Sequence, residues 1–180
     1  NSEVDGLIIT TEGDFGSGYN FEMRNFLGNG EGNYENNLLD LRLYKKINSQ
    51  NNTDFYLGGG WKWLTEDSSF QGYAATSSQW GLPVSAKMKI NSDNGFTFGA
   101  RADYWFFGSY NVDSNFTTDV EGDFSGFGFD IYGEKTIAEN ISVRLGYMNE
   151  DYTFGEDESA GVSEFDNGFS GVYFSGLYTY

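Results

Sequence analysis

The sequence predicts an all-β protein: an eight-stranded antiparallel up-and-down barrel that spans a membrane, with short turns at one end and long acidic loops at the other. Three observations predict it. Apolar and polar residues alternate with the two-residue period of a β-strand through eight segments. Short and long connectors follow each other in strict order, which is typical of such barrels. The last stretch, Gly168 to Tyr180, alternates in the same way and ends on an aromatic ring.

The composition agrees with a barrel wall. Of the 180 residues, 19% are aromatic, 25 are glycine and one is proline. The longest apolar runs, such as Tyr104 to Phe107, are far shorter than the roughly 20 residues of a spanning helix. The mean hydropathy of −0.50 does not exclude a membrane wall. A barrel strand exposes only alternate residues to lipid, so an average over both faces hides its apolar side.

The first four predicted strands cover residues 17–27, 36–47, 53–64 and 79–90. Each has one apolar face: Tyr19, Phe21 and Met23; Leu39, Leu41 and Leu43; Phe55, Leu57, Trp61 and Trp63; and Trp80, Leu82, Val84, Ala86, Met88 and Ile90. The polar turn 48–52 joins the second and third strands. Gly58 to Gly60 and Pro83 lie within strands, where these residue types indicate a bulge or a bend of the wall.

The last four predicted strands cover residues 95–107, 124–134, 141–153 and 168–180. Their apolar faces carry Phe96, Phe98, Ala100, Ala102, Tyr104 and Phe106; Phe127, Phe129 and Ile131; Val143, Leu145 and Tyr147; and Val172, Phe174, Tyr178 and Tyr180. Ser92 to Gly95 ends in Asn-Gly, a strong signal for a tight hairpin. Residues 17–180 therefore form the predicted barrel, and residues 1–16 are either a tail or an extension of the first strand.

The outward aromatic residues fall into two bands. Phe55, Phe96, Tyr178 and Tyr180 lie near the end with short turns, and Trp61, Trp63, Trp80, Tyr104, Phe106 and Tyr147 lie towards the other end. Two bands predict aromatic girdles, because amphipathic rings settle at headgroup depth in a membrane. Ordinary core packing explains the number of rings but not their division into two bands.

The charged residues also divide by face. Eight of the ten basic residues and seven acids share the parity opposite to the apolar face. The predicted luminal charge network comprises Glu22, Arg24, Asp40, Arg42, Lys62, Lys87, Lys89, Arg101, Asp103, Asp130, Glu134, Arg144 and Glu150, with Lys46 and Asp54 on the same face. Near-neutral pairing is what a narrow polar lumen requires, because an unpaired charge away from water is very costly.

This inward set admits two interpretations, a plug of ion pairs or an ion path lined by both signs. An eight-stranded barrel is about wide enough for its own side chains, and the bulky Tyr44, Trp105, Tyr132 and Tyr173 share the inward parity. The size argument favours a plug. The alternative, a small porin for ions or solutes, needs a lumen continuous with water.

The predicted outer loops are acidic. The net charge is −17, and most acids outside the lumen lie in the longer connectors. Carboxylates suit Ca²⁺ or Mg²⁺, and Glu156, Asp157 and Glu158 are weak candidates for binding a metal ion, although they lack the spacing of a dedicated Ca²⁺ loop. We therefore expect a solvated, self-repelling loop surface and no metal centre. The charge also argues against nucleic acid, which needs clustered Lys and Arg.

The chain contains no His and no Cys. The commonest general base, the commonest metal ligand and thiolate chemistry are therefore missing. No convergent set of nucleophile and base can be named among the remaining residues. We expect no catalytic residues, no enzymatic activity and no cofactor.

The C-terminal stretch, GFSGVYFSGLYTY, resembles the signature of bacterial outer-membrane β-barrels by which the barrel-assembly machinery recognises them. Phe is the commoner last residue, and Tyr180 departs from it. The architecture and charged interior resemble those of the OmpA- and OmpX-type small barrels. The resemblance implies the outer membrane of a Gram-negative bacterium, with periplasmic turns, a removed signal peptide, and lipid and lipopolysaccharide as neighbours.

The resemblance implies a non-enzymatic wall protein, or one that displays acidic outer loops for adhesion or for a protein partner. A soluble ligand-binding barrel similar to the lipocalins is an alternative from another class. A lipocalin-like barrel would dissolve without detergent, which distinguishes it from both membrane interpretations.

Overall fold

Nine β-strands form one closed sheet in the computed structural model, which describes residues 4–30, 34–70, 72–115, 119–157, 161 and 163–179. In chain order they are β1 (Val4–Asp14), β2 (Tyr19–Gly30), β3 (Tyr34–Gln50), β4 (Thr53–Phe70), β5 (Tyr73–Asn91), β6 (Phe96–Ser114), β7 (Val120–Ala138), β8 (Ile141–Phe154) and β9 (Phe165–Thr179). Each pairs antiparallel with the next. No helix in the described residues is long and apolar enough to cross a membrane.

The expected count of eight strands is wrong, because Val4–Asp14 forms a strand of its own. Leu7, Ile9 and Phe15 share the parity of the first predicted strand, which predicts an earlier start of that strand, with a tail as the alternative. Instead the chain reverses at three successive residues with positive φ, Gly16, Ser17 and Gly18. Glycine adopts this left-handed region without the usual steric cost, so two glycines in three residues allow a tight turn. The reversal places β1 beside β2.

The ninth strand changes how the barrel closes. Strand direction alternates around an up-and-down sheet, so an odd number of strands leaves the first and last pointing the same way. Ile8–Glu12 accordingly pairs in parallel with Ser175–Thr179. We call the rim where β1, β3, β5 and β7 end the turn end, and the opposite rim the connector end.

In three of the four predicted long loops, 28–35, 65–78 and 109–123, most of the described residues lie on strands, whereas β8 ends at Phe154 and β9 begins only at Phe165. The β4–β5 hairpin continues in register from the Thr65–Ser78 pair to the Phe70–Tyr73 pair, through most of what was expected to be loop. Similar extensions lengthen β2, β3, β6 and β7. Residues 65–69 and 76–78 are polar on both faces of the hairpin, so they lack the alternation that revealed the rest of the wall. The acidic residues expected in loops therefore lie largely on strands at the connector end.

The predicted irregularity around Pro83 is present. The β5–β6 register shifts between Gly81 and Pro83. Gly60 has no space for a Cβ atom, because the Leu41 backbone carbonyl of the neighbouring strand occupies that position. Pro83 has no backbone N–H for the sheet, and Gly60 allows the neighbouring backbone to approach closely. Both are features of a bent wall.

Inward aromatic rings lie against glycines of neighbouring strands. A Cβ added to Gly146 would come 2.6 Å from the Tyr173 ring, and one added to Gly58 would come 2.6 Å from Cδ1 of Tyr44. Real Cβ atoms essentially never approach so closely. These glycines therefore make room for the rings that fill the lumen.

Candidate functional site

All thirteen residues of the predicted luminal charge network lie on the inner face of the barrel. Eleven are buried, and Lys89 and Glu134 are partly exposed near the turn end. The network draws side chains from seven strands, β2 to β8, whose two-residue period directs alternate side chains inward. The structure thus brings together residues that are far apart in sequence.

Glu22 is the centre of the main cluster. Its carboxylate lies 2.8 Å from Nε of Arg24, 2.6 Å from Nζ of Lys87 and 3.1 Å from Nη1 of Arg101. The Arg101 guanidinium also lies 2.9 Å from the Asp103 carboxylate and 3.4 Å from the Asp40 carboxylate. Three strands, β2, β5 and β6, therefore meet at one carboxylate. Such pairs strengthen each other in a region of low dielectric constant.

Two further clusters join strands on opposite sides of the barrel. Arg24 lies 2.5 Å from Asp130, which also accepts a hydrogen bond from the Tyr173 hydroxyl at 2.8 Å. Lys62 forms an ion pair with Glu150 and approaches the Tyr152 hydroxyl at 2.9 Å. These contacts join side chains across the lumen.

Glu12 is the residue that sequence reasoning missed. It is buried on the inner face of β1, 3.2 Å from Lys87 and 3.3 Å from Arg144, and it also forms an ion pair with Lys89. Its signal was the inward parity of Thr10, Glu12 and Asp14 against Leu7 and Ile9. With Glu12 included, the described ion pairs join eight basic residues to eight acids. The sequence count had left one basic residue in excess.

An aromatic cluster fills the lumen on the connector side of these charges. It consists of Trp105, Tyr110, Phe124, Tyr152 and Phe154. Trp105 is fully buried, and Nζ of Lys62 sits 4.5 Å from the centre of its ring. The cluster therefore separates the charge network from the connector end.

Tyr110 ties this aromatic cluster to the segment after β8. Its hydroxyl donates to the Gly155 carbonyl at 2.8 Å. Burial raises the pKa of the Tyr110 phenol above its ordinary value, and the negative charge of Asp157 adds to the shift. The raised pKa keeps the hydroxyl protonated and able to donate at neutral pH.

The weak metal candidates do not form a cluster in the part of the chain that can be described. Glu156 is exposed, and Asp157 is buried and accepts a hydrogen bond from the Glu121 backbone N–H at 3.1 Å. Glu158 lies outside the described residues. Within those residues, no three His, Cys, Asp or Glu side chains lie close enough to hold a metal ion. Asp157 instead holds the segment after β8 against β7.

The predicted girdle residues lie on the outer surface. Phe55, Phe96 and Tyr178 are exposed near the turn end, and Tyr180 lies outside the described residues. Of the second band, Trp61, Trp63, Tyr104, Phe106 and Tyr147 are exposed and Trp80 is partly exposed.

Outer rings in and beside the second band contact one another. The Trp61 and Trp63 rings stack 6.1 Å apart, and the Trp80 and Phe107 rings meet edge-on at 5.6 Å. Aliphatic residues such as Leu57 and Val84 are exposed between the two bands. We call this whole apolar surface the outer belt.

No protein-family model and no curated protein matches the chain. The outer belt and the filled, ion-paired lumen are therefore the features from which its function is inferred.

Proposed function

We propose that this chain is an integral β-barrel of the outer membrane of a Gram-negative bacterium, with a closed lumen and no enzymatic activity. The observation that carries the proposal is the inverted distribution of side chains. Large apolar residues such as Val172, Phe174 and Leu145 are more than half exposed, while the fully buried positions include Arg144 and Arg42. A protein surrounded by water would be expected to place these residues the other way round.

The height of the outer belt fits the proposal. On β6 the outward residues are apolar from Phe96 to Phe106, and they are followed by the polar Ser109, Asn111 and Asp113. Ten residue steps of about 3.4 Å, inclined at about 40°, span about 25 Å. This is about the height of the apolar band of known transmembrane barrels.

The filled lumen supports a wall protein and weighs against the alternative of a small porin. Trp105, Tyr44 and Arg144 are fully buried, and opposite charges pair across the axis. An ion would have to break these pairs and displace the aromatic cluster to pass. A porin needs a water-filled path, and the buried, paired side chains at this level weigh against one.

The connector end supports a role in display. The segments 28–35, 65–78, 109–123 and 154–167 contain many acids and no Lys or Arg. Asp67, Asp123 and Asp166 are exposed there on the outer face. We propose that this acidic rim faces the cell exterior, where divalent cations bridge it to lipopolysaccharide or a basic partner protein binds it directly.

Refolding into lipid vesicles tests the proposal. The unfolded chain should insert into phosphatidylcholine vesicles, float with them in a density gradient, and resist alkaline extraction. Val84→Arg, in the middle of the outer belt, should cost about 2–4 kcal/mol of stability in the bilayer. Asn37→Arg, outward but beyond the belt, is the matched control and should change little. A chain that stays folded and monomeric in buffer without detergent contradicts the proposal and favours the lipocalin-like alternative.

A further inference from the structure

Lys45 at the turn end is held between an aromatic ring and a turn carbonyl. It lies opposite Tyr19 in register, and its Nζ is 4.1 Å from the centre of the Tyr19 ring. The same Nζ donates to the Ser17 carbonyl oxygen at 2.5 Å. Both Tyr19 and Lys45 are exposed on the outer surface. An ammonium group has three N–H donors, so Lys45 retains donors for a further ligand.

Lys135 repeats this arrangement on another part of the rim. It lies opposite Phe96, with Nζ 4.2 Å from the ring centre, and donates to the Asn94 carbonyl oxygen at 2.5 Å. The preceding turn ends in Gly95 with φ of 76°, the same value as at Gly18 before Tyr19. Two separate hairpins therefore present a lysine, a ring and a turn carbonyl in one geometry.

The turn between β3 and β4, the third turn, shows that the lysine is not needed to build this rim. The Asn52 carbonyl accepts a hydrogen bond from the Asn91 backbone N–H at 2.8 Å. The glycine carbonyls of the other two turns accept the corresponding bonds, at 2.7 and 3.2 Å. Yet the positions of the ring and the lysine are held here by Thr53 and Ile90. The backbone closes equally with or without the lysine and ring, so their presence at the other two turns requires another explanation.

The charge distribution indicates the ligand. The other eight basic residues pair with acids on the inner face, so Lys45 and Lys135 are the two that face outward. Both lie at the level of the aromatic band formed by Phe55, Phe96 and Tyr178. If the barrel spans a bilayer as proposed above, this level is the headgroup region, where phosphate groups are the abundant anions.

We propose that Lys45 with Tyr19, and Lys135 with Phe96, are two binding sites for phospholipid phosphate groups in the leaflet at the turn end. The inference rests on the proposed membrane insertion and assigns a lipid class to one side of the barrel. In each site the ring and the turn carbonyl orient the ammonium, and its remaining N–H groups donate to phosphate oxygens.

Native mass spectrometry of the detergent-solubilised protein tests the proposal. The probes are dioleoylphosphatidylglycerol, dioleoylglycerol with the same chains but no phosphate, and inorganic phosphate. Wild type should retain up to two molecules of the phospholipid more tightly than of dioleoylglycerol. In the variant Lys45→Gln/Lys135→Gln, the apparent affinity should fall about fivefold per site, the equivalent of about 1 kcal/mol for each lysine.

The third turn supplies a gain-of-function variant. Thr53→Phe with Ile90→Lys should add one retained phospholipid molecule. Equal phospholipid retention by wild type and the glutamine variant overturns the proposal, as does equal loss of both lipids. Displacement of the phospholipid by millimolar inorganic phosphate assigns a general phosphate site and overturns the lipid assignment. Failure of the wild-type chain to enter vesicles is a separate result that contradicts the proposed function itself.

Discussion

The Glu12 carboxylate of β1 lies 3.2 Å from the Lys87 ammonium of β5, on the other side of the lumen. Glu12 also forms an ion pair with Lys89 and is 3.3 Å from Arg144. Three basic residues from β5 and β8 therefore share one carboxylate from the strand that completes the barrel. The charge balance of the lumen and the closure of the wall depend on the same strand.

Replacing Glu12 by Gln should destabilise the barrel strongly. The variant takes a negative charge away from the buried Lys87 and Arg144. Among the described residues, Glu12 is also the acid with which the partly exposed Lys89 forms its ion pair. Breaking a buried pair in this way costs about 3–5 kcal/mol. The measurement is urea unfolding in vesicles, with Glu139→Gln at the exposed turn as the control of equal charge change.

A second variant tests whether the loss of stability comes from the Lys89 ammonium that is left without its counter-charge. Glu12→Gln/Lys89→Met removes the stranded ammonium as well, and should recover part of the lost stability. If Glu12→Gln unfolds at the same urea concentration as wild type, the Glu12 side chain does not contribute to the charge network of the lumen.

Replacing Gly146 by Ala should also destabilise the barrel. The new Cβ atom would lie 2.6 Å from the Tyr173 ring, which has to move in a filled lumen. Overpacking of this kind costs about 1–3 kcal/mol. Gly176→Ala is the matched control on the same pair of strands, because nothing lies within 4 Å of its added Cβ. The account of ring and glycine packing fails if the two variants unfold alike.

The proposed closed lumen predicts no steady conductance in planar bilayers. Ions meet the pairs Arg24–Asp130 and Lys62–Glu150 and then the aromatic cluster around Trp105. Single-channel recording at high protein concentration is the measurement, and a known porin in the same membranes is the positive control. Stable, voltage-independent open channels of uniform size would establish the porin alternative.

Replacing Tyr110 by Phe should loosen the segment after β8 without unfolding the barrel. The change removes the 2.8 Å hydrogen bond to the Gly155 carbonyl, worth about 1 kcal/mol. Because the folded-state pKa of the phenol is raised, its contribution is complete below the ordinary phenol pKa and decreases as pH rises above about 10. Hydrogen exchange around Gly155 should therefore differ between wild type and variant at neutral pH and converge in alkali.

The barrel wall could be predicted because its alternation is strong where one face is apolar. The outward positions include Trp61, Leu82 and Phe106, which are exposed. The inward positions next to them are Lys62, Pro83 and Trp105, which are buried. Where that contrast is missing, alternation does not identify a strand. Around Thr65 and Ser78 both faces are polar, so paired strands were interpreted as a loop.

The ninth strand was missed for a different reason. Parity carries no information on chain direction, so Leu7 and Ile9 fitted either an extension of β2 or a separate strand. Only the conformation of Gly16 to Gly18 distinguishes the two. The luminal charges, in contrast, were identified individually because each lies within a clearly alternating strand, but their partners depend on barrel closure and could not be assigned from sequence.

The central claim is that the outer belt lies in lipid and the lumen does not. Two single-tryptophan variants test it most directly: one keeps only Trp63, exposed on the outer belt, and the other keeps only Trp105, fully buried in the lumen. In vesicles of phosphatidylcholine brominated on its acyl chains, the fluorescence of Trp63 should be quenched strongly and that of Trp105 much less. Equal quenching of the two, or none of Trp63, would contradict the account.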